Sequence, residues 1–198
     1  MINKDLEPYL DKFKEKVLPI DYHRRGILPS EGFVVCALCD LYNIDILIES
    51  GIANGMSTEI FAKYGVPKVI GVERAIKPKE VEMFAGTKKR LAKYKNITLI
   101  KGNSLEVIPQ LLSENSSSRI ALVIDGPKDT AACNLLRDCM KDNNNIVLGI
   151  IHDQKTKQMK KFFKDTIFTD DKALRDFDFL DKGIKIPKPV YGIKINGA

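Results

Sequence analysis

Five apolar, β-branched runs recur along the chain, and amphipathic stretches separate them. The runs are IDILIE (44–49), KVIGVE (68–73), ITLIK (97–101), IALVID (120–125) and IVLGII (146–151). Continuous hydrophobicity of this length is typical of strands that are buried on both faces of a sheet. The stretches between and after them predict helices over 56–64, 79–94, 104–113, 129–142 and 155–165. Alternating strands and helices predict an α/β fold, a doubly wound and mostly parallel sheet with helices on both faces.

The segments that flank this alternating region extend the predicted fold. Residues 4–17 and 30–42 predict two extra N-terminal helices, the second with Ser30 as its N-cap. KPVYGIKING (188–197) predicts a last strand, with an antiparallel orientation as the expectation. A chain of 198 residues buries enough surface for one core. We therefore expect a single domain over 1–198, with a helical extension (1–43) and a sheet core (44–198).

Composition narrows the class of protein. The chain is 44% hydrophobic and 29% charged, it has no apolar run long enough to span a bilayer, and its start lacks the features of a secretory signal. These features predict a cytoplasmic protein with no membrane partner. The chain has a net charge of +6, but aromatic residues are not interleaved with its basic residues, which disfavours nucleic acid as a partner. Cys36 and Cys39 form a CxxC pattern, but no second CxxC or His pair accompanies it, which favours core packing over metal or redox work.

Polar residues follow each predicted strand. In an open parallel sheet, ligands bind at the carboxyl ends of the strands, where helix N-termini also present free N–H groups. A single acid there could simply cap the next helix, which is worth about 1 kcal/mol. Five polar strand ends together predict a binding site instead. These ends are Glu49, Glu73, Asn103 with Ser104, Asp125, and His152 with Asp153 and Gln154.

The stretch IESGIANGMST (48–58) indicates the kind of ligand. Gly51 allows a sharp turn after the first strand, and Gly55 lets the backbone at the helix entrance approach a ligand closely. Glu73 follows Gly55 by about 18 residues, the distance at which an acid accepts both hydroxyls of a ribose. These features predict an adenosine-containing ligand. Ala53 replaces the middle glycine of a dinucleotide fingerprint, and Glu49 disfavours a pyrophosphate but suits an ammonium group.

With these segments in place, the chain resembles the class I S-adenosylmethionine-dependent methyltransferases. IESGIANGMST resembles the first motif of that family, VIGVER the second, IKGNSLEVIPQL the third and LVIDGPKD the fourth, over about residues 40–155. The pair IDG and HD at the ends of the fourth and fifth strands is most similar to the small-molecule O-methyltransferase branch. That branch includes catechol O-methyltransferase and the cephalosporin-pathway methyltransferases. The resemblance implies a Rossmann-like methyltransferase fold.

The resemblance also implies a role for each strand-end residue. Gly51 and the backbone around Ala53 and Gly55 would line the methionine part of S-adenosylmethionine. Glu73 would bind the ribose. Asn103 stands at a position where many members of the family have Asp, and its amide oxygen would accept a hydrogen bond from the adenine. The full set of implied cofactor-binding residues is Glu49, Gly51, Ala53, Gly55, Ser57, Glu73, Asn103, Ser104 and Asp125.

Catalysis in that branch requires few groups, because the methyl donor is already activated. The resemblance implies that Asp125, Asp153 and Gln154 hold Mg²⁺, which binds an acceptor hydroxyl and lowers its pKa. His152 is an alternative ligand, or a general base that works near neutral pH. Asp125, His152 and Asp153 are therefore the catalytic candidates. The stretch DYHRRGILPSEG (21–32), with His23, Arg24 and Arg25, is either a lid over the site or an ordinary basic loop.

The sequence thus favours methyl transfer from S-adenosylmethionine to a small-molecule acceptor, at a hydroxyl oxygen. One alternative is an NAD(P)-dependent Rossmann oxidoreductase, which the missing middle glycine and Glu49 disfavour. A second is a non-catalytic module that binds the cofactor or a partner, which the full set of polar strand ends disfavours. A homodimer is compatible with the sequence.

Overall fold

A seven-stranded sheet forms the centre of the molecule in the computed structural model. The structure describes residues 2–21, 26–152, 161–163, 167–168, 174–184 and 192–196. The strands are β1 (Ile46–Ser50), β2 (Lys68–Glu73), β3 (Ile97–Lys101), β4 (Ile120–Ile124), β5 (Ile146–Ile151), β6 (Ile167–Phe168) and β7 (Gly192–Ile195). The five predicted strands and the last strand are confirmed.

The strand order places a ligand crevice between β1 and β4. The order is β3-β2-β1-β4-β5-β7-β6, with β1 to β5 parallel and with β7 antiparallel to both β5 and β6. After β3 the chain returns to the other side of β1, so the direction of winding reverses there. Such a reversal opens a crevice at the carboxyl ends of the two central strands. The doubly wound, mostly parallel sheet is thus confirmed.

Seven α-helices connect or flank the strands in the described part of the chain. They are α1 (Ile2–Leu6), α2 (Leu10–Val17), α3 (Pro29–Leu41), α4 (Met56–Tyr64), α5 (Pro78–Leu91), α6 (Ser104–Glu114) and α7 (Asp129–Asp142). Short 3₁₀ helices cover Glu7–Tyr9 and Arg175–Asp181. The N-terminal helical extension is confirmed, although a 3₁₀ turn divides its first helix into α1 and α2.

The predicted N-cap of α3 is wrong. The helix begins at Pro29 and its N-cap is Leu28, so Ser30 lies inside the first turn. Pro at the first helical position has a favourable φ and no N–H to satisfy. The Leu28 N–H donates instead to Glu31 Oε2 at 3.0 Å. Ser30 is consequently available for a tertiary contact with Asp181.

The sheet separates two hydrophobic cores, because alternate strand residues face opposite sides. Leu47 of β1 packs with α3 and α4 on one face, whereas Ile46 and Ile48 pack with α6 and α7 on the other. Helices on both faces are therefore confirmed. Cys36 and Cys39 are free thiols buried in the first core, as their pattern predicted, and burial raises the pKa of Cys36 well above its ordinary value. Among the described helices, none has the length and apolar character needed to cross a membrane.

Several predictions fall on residues outside the described ranges. They include most of the predicted helix 155–165, the basic residues His23, Arg24 and Arg25, and the metal-ligand candidates Asp153 and Gln154.

Candidate functional site

A cavity of about 280 Å³ opens at the carboxyl ends of the central strands. It lies where the reversal of winding leaves the crevice between β1 and β4. Four of its lining residues, Gly51, Glu73, Asn103 and Ser104, are among those predicted from the sequence. The complete lining is Gly51, Glu73, Arg74, Asn103, Ser104, Leu105, Gly126 and Pro127.

The loop over residues 51–55, called here the glycine loop, lies between β1 and α4. Gly51, Ala53 and Gly55 all have positive φ, at 82°, 47° and 72°. A Cβ on Gly51 would lie 2.7 Å from Gly126 N and 2.9 Å from the Asp125 carbonyl carbon. Gly51 is therefore required both by the turn and by the close approach of β1 to the segment after β4. Ala53 adopts a conformation that L residues with a Cβ rarely occupy.

Gly55 faces away from this cavity. A Cβ there would lie 2.6 Å from Thr87 Cγ2 and 2.9 Å from Leu91 Cδ1, both on α5. Its positive φ and its packing against α5 account for the glycine without a ligand. The sequence-based explanation of Gly55, close approach to a ligand, is not supported by this geometry, and its assignment to cofactor binding stays a prediction.

Glu73 lies at the end of β2 with both carboxylate oxygens directed to backbone groups. Oε2 accepts from Ala53 N at 2.8 Å, and Oε1 accepts from Arg74 N at 3.1 Å. An ionised carboxylate offers about four lone-pair positions, so about two remain for a ligand. Glu73 thus connects the glycine loop to the cavity and retains acceptor capacity there.

Glu49 is buried at the end of β1, where its side chain is only 2% exposed. Its Oε1 accepts from the Ser57 hydroxyl, and its Oε2 accepts from Thr58 Oγ1 at 2.6 Å. Desolvation raises the pKa of Glu49 to about 7, the two hydroxyls oppose that rise, and the charges of Asp125 and Glu73 add to it. Ser57, predicted to bind the cofactor, thus directs its hydroxyl to Glu49.

Asn103 and Ser104 begin α6 at the end of β3. Asn103 is the N-cap, since its Oδ1 accepts from Leu105 N at 3.3 Å while its Nδ2 donates to Glu106 Oε1 at 2.9 Å. The Ser104 and Ser50 hydroxyl oxygens are 2.6 Å apart, and Ser50 Oγ also contacts the Gly126 carbonyl oxygen. A hydroxyl has one proton, so if Ser50 donates to Gly126 then Ser104 donates to Ser50. The role of both residues at an adenine edge stays a prediction.

Asp125 follows β4 and contacts two nitrogen atoms. Its Oδ1 lies 2.5 Å from His152 Nδ1, and Lys128 Nζ donates to the same oxygen. His152 follows β5, so neighbouring strands bring these two catalytic candidates together. A carboxylate oxygen accepts hydrogen bonds and does not donate them, so Nδ1 is the donor in this contact.

The predicted Mg²⁺ site is not formed by the residues that the structure describes. Magnesium prefers several oxygen ligands, whereas Asp125 is the one described member of the predicted set and its Oδ1 is engaged by two nitrogens. Across the described ranges, no group of three or more His, Cys, Asp or Glu side chains gathers into a metal site. Asp153 and Gln154 lie outside those ranges.

A larger cavity, of about 540 Å³, lies between α6 and α7. It includes Leu105, which also lines the strand-end cavity, but its other lining residues belong to α6 and α7 or directly follow α7. We place the candidate site in the smaller cavity, because the polar strand ends and the glycine loop converge there.

Sequence reasoning missed several residues at or near the site. Arg74 directly follows Glu73, Pro127 follows the Asp125-Gly126 turn, and Lys128 is three residues beyond Asp125. Their position next to predicted strand ends was a usable signal. Arg90 contacts the glycine loop from α5, but no sequence signal marks it, because it lies within an ordinary basic helix face.

Comparison with known proteins adds structural evidence. No family model matches the chain, and no curated protein matches its sequence. Solved structures do match over most of its length. The O-methyltransferase TomG from Streptomyces achromogenes, solved with SAM, is 12% identical with a TM-score of 0.54, over 98% of this chain and 90% of that one. This likeness shows that the chain has a fold similar to that of this methyltransferase.

Two further structures agree with this methyltransferase fold. An O-methyltransferase from Bacillus cereus, solved with SAH, is 13% identical with a TM-score of 0.51, over 97% of this chain and 90% of that one. The methyltransferase domain of the bacterial protein CtHen1-C is 14% identical with a TM-score of 0.55, over 85% of this chain and 98% of that one. At such identities the likeness concerns the fold, and the acceptor must be inferred from the site itself.

Proposed function

We propose that this protein transfers a methyl group from S-adenosylmethionine to a small-molecule acceptor, at a hydroxyl oxygen. The observation that carries the proposal is the group of three carboxylates, Glu49, Glu73 and Asp125, around the glycine loop. After desolvation and the opposing hydroxyls, the charges of Asp125 and Glu73 help raise the pKa of Glu49 to about 7, so the three carboxylates lie close enough to repel one another. S-adenosylmethionine has an ammonium and a sulfonium, which suit such a site, whereas the pyrophosphate of NAD does not.

Each cofactor contact follows from this assignment as part of the proposal. Glu49 and the backbone of Gly51, Ala53 and Gly55 surround the methionine part of the cofactor. The remaining acceptor positions of Glu73 take the ribose hydroxyls, and Asn103 with Ser104 lies at the adenine edge. These residues would hold one end of the cofactor near the end of β1 and the other near the start of α6.

The chemistry requires an in-line acceptor and removal of its proton. When bound, S-adenosylmethionine would supply an electrophilic methyl group to the acceptor oxygen, and the electrons of the broken carbon–sulfur bond would remain on sulfur. In this proposal His152 receives the acceptor proton, and the contact of its Nδ1 with Asp125 Oδ1 at 2.5 Å supports that role. Asp125 orients the ring and stabilises its protonated form. Lys128, at the same oxygen, adds a positive charge beside the reacting groups.

The sequence also predicts a bound Mg²⁺ that would lower the pKa of the acceptor hydroxyl. The contact between His152 and Asp125 offers a route for proton removal that requires no metal. Unchanged turnover in EDTA, measured with and without added MgCl₂ once an acceptor is known, would support proton transfer to His152 without a metal. Loss of turnover on chelation, with S-adenosylhomocysteine binding retained, would instead support a metal held by Asp125, Asp153 and Gln154.

Calorimetric titration tests the cofactor assignment. The parent protein should bind S-adenosylhomocysteine and not NAD. Glu73→Ala should weaken that binding roughly 10- to 150-fold, because a charged acceptor worth about 1.5–3 kcal/mol is lost. Glu82→Ala, on the exposed face of α5, is the matched acid control. Binding of NAD alone would favour an oxidoreductase, and binding of neither ligand would favour an interaction module.

A small-molecule acceptor is supported by the O-methyltransferase TomG, a structural neighbour whose solved form is described as involved in tomaymycin synthesis. The cytoplasmic location, the homodimer and the exclusion of nucleic acid stay predictions. Incubation of a metabolite extract with isotopically labelled S-adenosylmethionine would identify the acceptor.

A further inference from the structure

Arg90 of α5 lies outside the cavity lining, yet it contacts the loop that forms one side of the site. We propose that Arg90 is a positioning residue that holds the glycine loop in its cofactor-binding conformation. This proposal rests on the proposed function, because it assigns the loop to the cofactor. It goes beyond that function because it makes cofactor affinity depend on Arg90, a residue of α5 that does not line the cavity.

Arg90 links the glycine loop to α4. Its Nη2 donates to the Asn54 carbonyl oxygen at 2.6 Å, and its Nη1 pairs with Glu59 Oε2. Glu59 is itself held in place, since the Tyr94 hydroxyl donates to its Oε1 at 2.7 Å. The guanidinium is therefore fixed by an anchored carboxylate while it binds a loop carbonyl. Planar guanidinium groups are suited to such two-sided contacts because their donors have fixed directions.

The loop needs external support at Ala53, where φ is 47°. A residue with a Cβ is strained there, and such strain persists only where the surroundings impose it. On the cavity side, the Ala53 N–H donates to Glu73 Oε2 at 2.8 Å. On the opposite side, the Thr87 hydroxyl donates to the Ala53 carbonyl oxygen at 3.4 Å, and Arg90 binds the next carbonyl. Loss of Arg90 should let this peptide segment rotate and withdraw the Ala53 N–H from Glu73.

Lys93 provides a matched control close to Arg90. Its Nζ is 3.7 Å from Glu59 Oε1 and lies over the Tyr94 ring, so it shares the same acidic partner and carries the same charge. Within the described ranges, no hydrogen bond joins Lys93 to the glycine loop. A general loss of positive charge near Glu59 is therefore reproduced by Lys93→Met, whereas loss of the loop contact is specific to Arg90→Met.

The experiment measures S-adenosylhomocysteine affinity by calorimetry, at a temperature well below the melting temperature of every variant. Arg90→Met should weaken binding roughly 10-fold or more, and Lys93→Met should change it less than about twofold. Adding Ala53→Gly to Arg90→Met should recover much of the lost affinity, because glycine adopts a positive φ without strain. A purely structural Arg90 would lower the melting temperature and leave affinity unchanged.

Three results would overturn the positioning role. They are equal affinity of Arg90→Met and the parent, an equal loss in Lys93→Met, and a loss that Ala53→Gly does not reduce. If the parent itself does not bind S-adenosylhomocysteine, the proposed function fails, and the positioning role fails with it. Binding by the parent together with unchanged binding by Arg90→Met removes the positioning role alone.

Discussion

Glu49 combines the burial of a core residue with the charge of a site residue. Its carboxylate accepts two hydroxyl hydrogen bonds from the first turn of α4, yet desolvation still raises its pKa to about 7. The hydroxyls oppose this rise, and the charges of Asp125 and Glu73 reinforce it. The ionised form is consequently costly in the apo protein, and a cationic ligand nearby would relieve that cost.

This raised pKa predicts a pH dependence of stability. Below pH 4.5, the ordinary pKa of a glutamate, Glu49 is protonated in both the folded and the unfolded chain. Between pH 4.5 and about 7 the unfolded chain loses this proton first, so the free energy of unfolding falls as pH rises. The total fall is on the order of 3 kcal/mol. Glu49→Gln should remove this contribution, which urea unfolding of both apo proteins from pH 4.5 to 8 would measure. Parallel stability curves for the two proteins would contradict the raised pKa.

The sequence predicted which residues follow the strands more reliably than where their side chains point. Gly51, Glu73, Asn103 and Ser104 line the cavity, because a parallel sheet brings its strand ends to one edge. The role of Ser57 at the cofactor stays a prediction, and its hydroxyl contacts Glu49. The preference of a buried carboxylate for local donors decides that orientation, and it depends on burial that a sequence pattern does not specify.

At the scale of elements, the apolar runs predicted the parallel strands to within about two residues, because buried strands require continuous hydrophobicity. The sequence did not predict the two-residue β6 or the 3₁₀ helix Arg175–Asp181. Both are too short to show a period, and tertiary contacts stabilise them instead. The glycine loop was recognised by its glycines, but its support by α5 depends on Thr87, Arg90 and Leu91, which no local pattern connects to it.

Substitution by alanine should have opposite effects on stability at Gly55 and at Gly86. Gly55→Ala should destabilise the protein by about 1–3 kcal/mol, since its φ is 72° and the new Cβ would lie 2.6 Å from Thr87 Cγ2. Gly86→Ala should stabilise it by roughly 0.5–1 kcal/mol, because Gly86 is inside α5 and a Cβ there would meet no described atom within 4 Å. Chemical unfolding of both variants measures the difference. Equal effects would show that the contact between α5 and the loop is looser than described.

At the scale of the whole molecule, the N-terminal extension packs against a segment late in the chain, the 3₁₀ helix Arg175–Asp181. The 3₁₀ helix Arg175–Asp181 packs against α3, with the Phe33 and Phe177 ring centroids 4.6 Å apart in an edge-on arrangement. Asp181 accepts from Ser30 N at 2.8 Å and from the Ser30 hydroxyl at 2.6 Å. Both residues are buried. The N-terminal extension is thereby tied to a segment that follows β5 and β6, which favours the single domain predicted over 1–198.

A single domain predicts that breaking this buried contact lowers the stability of the whole molecule. Asp181→Ala leaves the Ser30 N–H and hydroxyl without their carboxylate, at a cost of about 1–3 kcal/mol for each buried polar group. Asp181→Asn should cost less, because its amide can accept from the N–H while it donates to the hydroxyl oxygen. Asp176→Ala, which removes an exposed contact with Asn3, is the control and should change stability by less than about 0.5 kcal/mol. Calorimetric melting should show one transition that moves to lower temperature in Asp181→Ala, since a cooperative domain unfolds as a unit. A separate early transition for the N-terminal helices, with the main transition unmoved, would show instead that residues 1–43 form a unit independent of the sheet core.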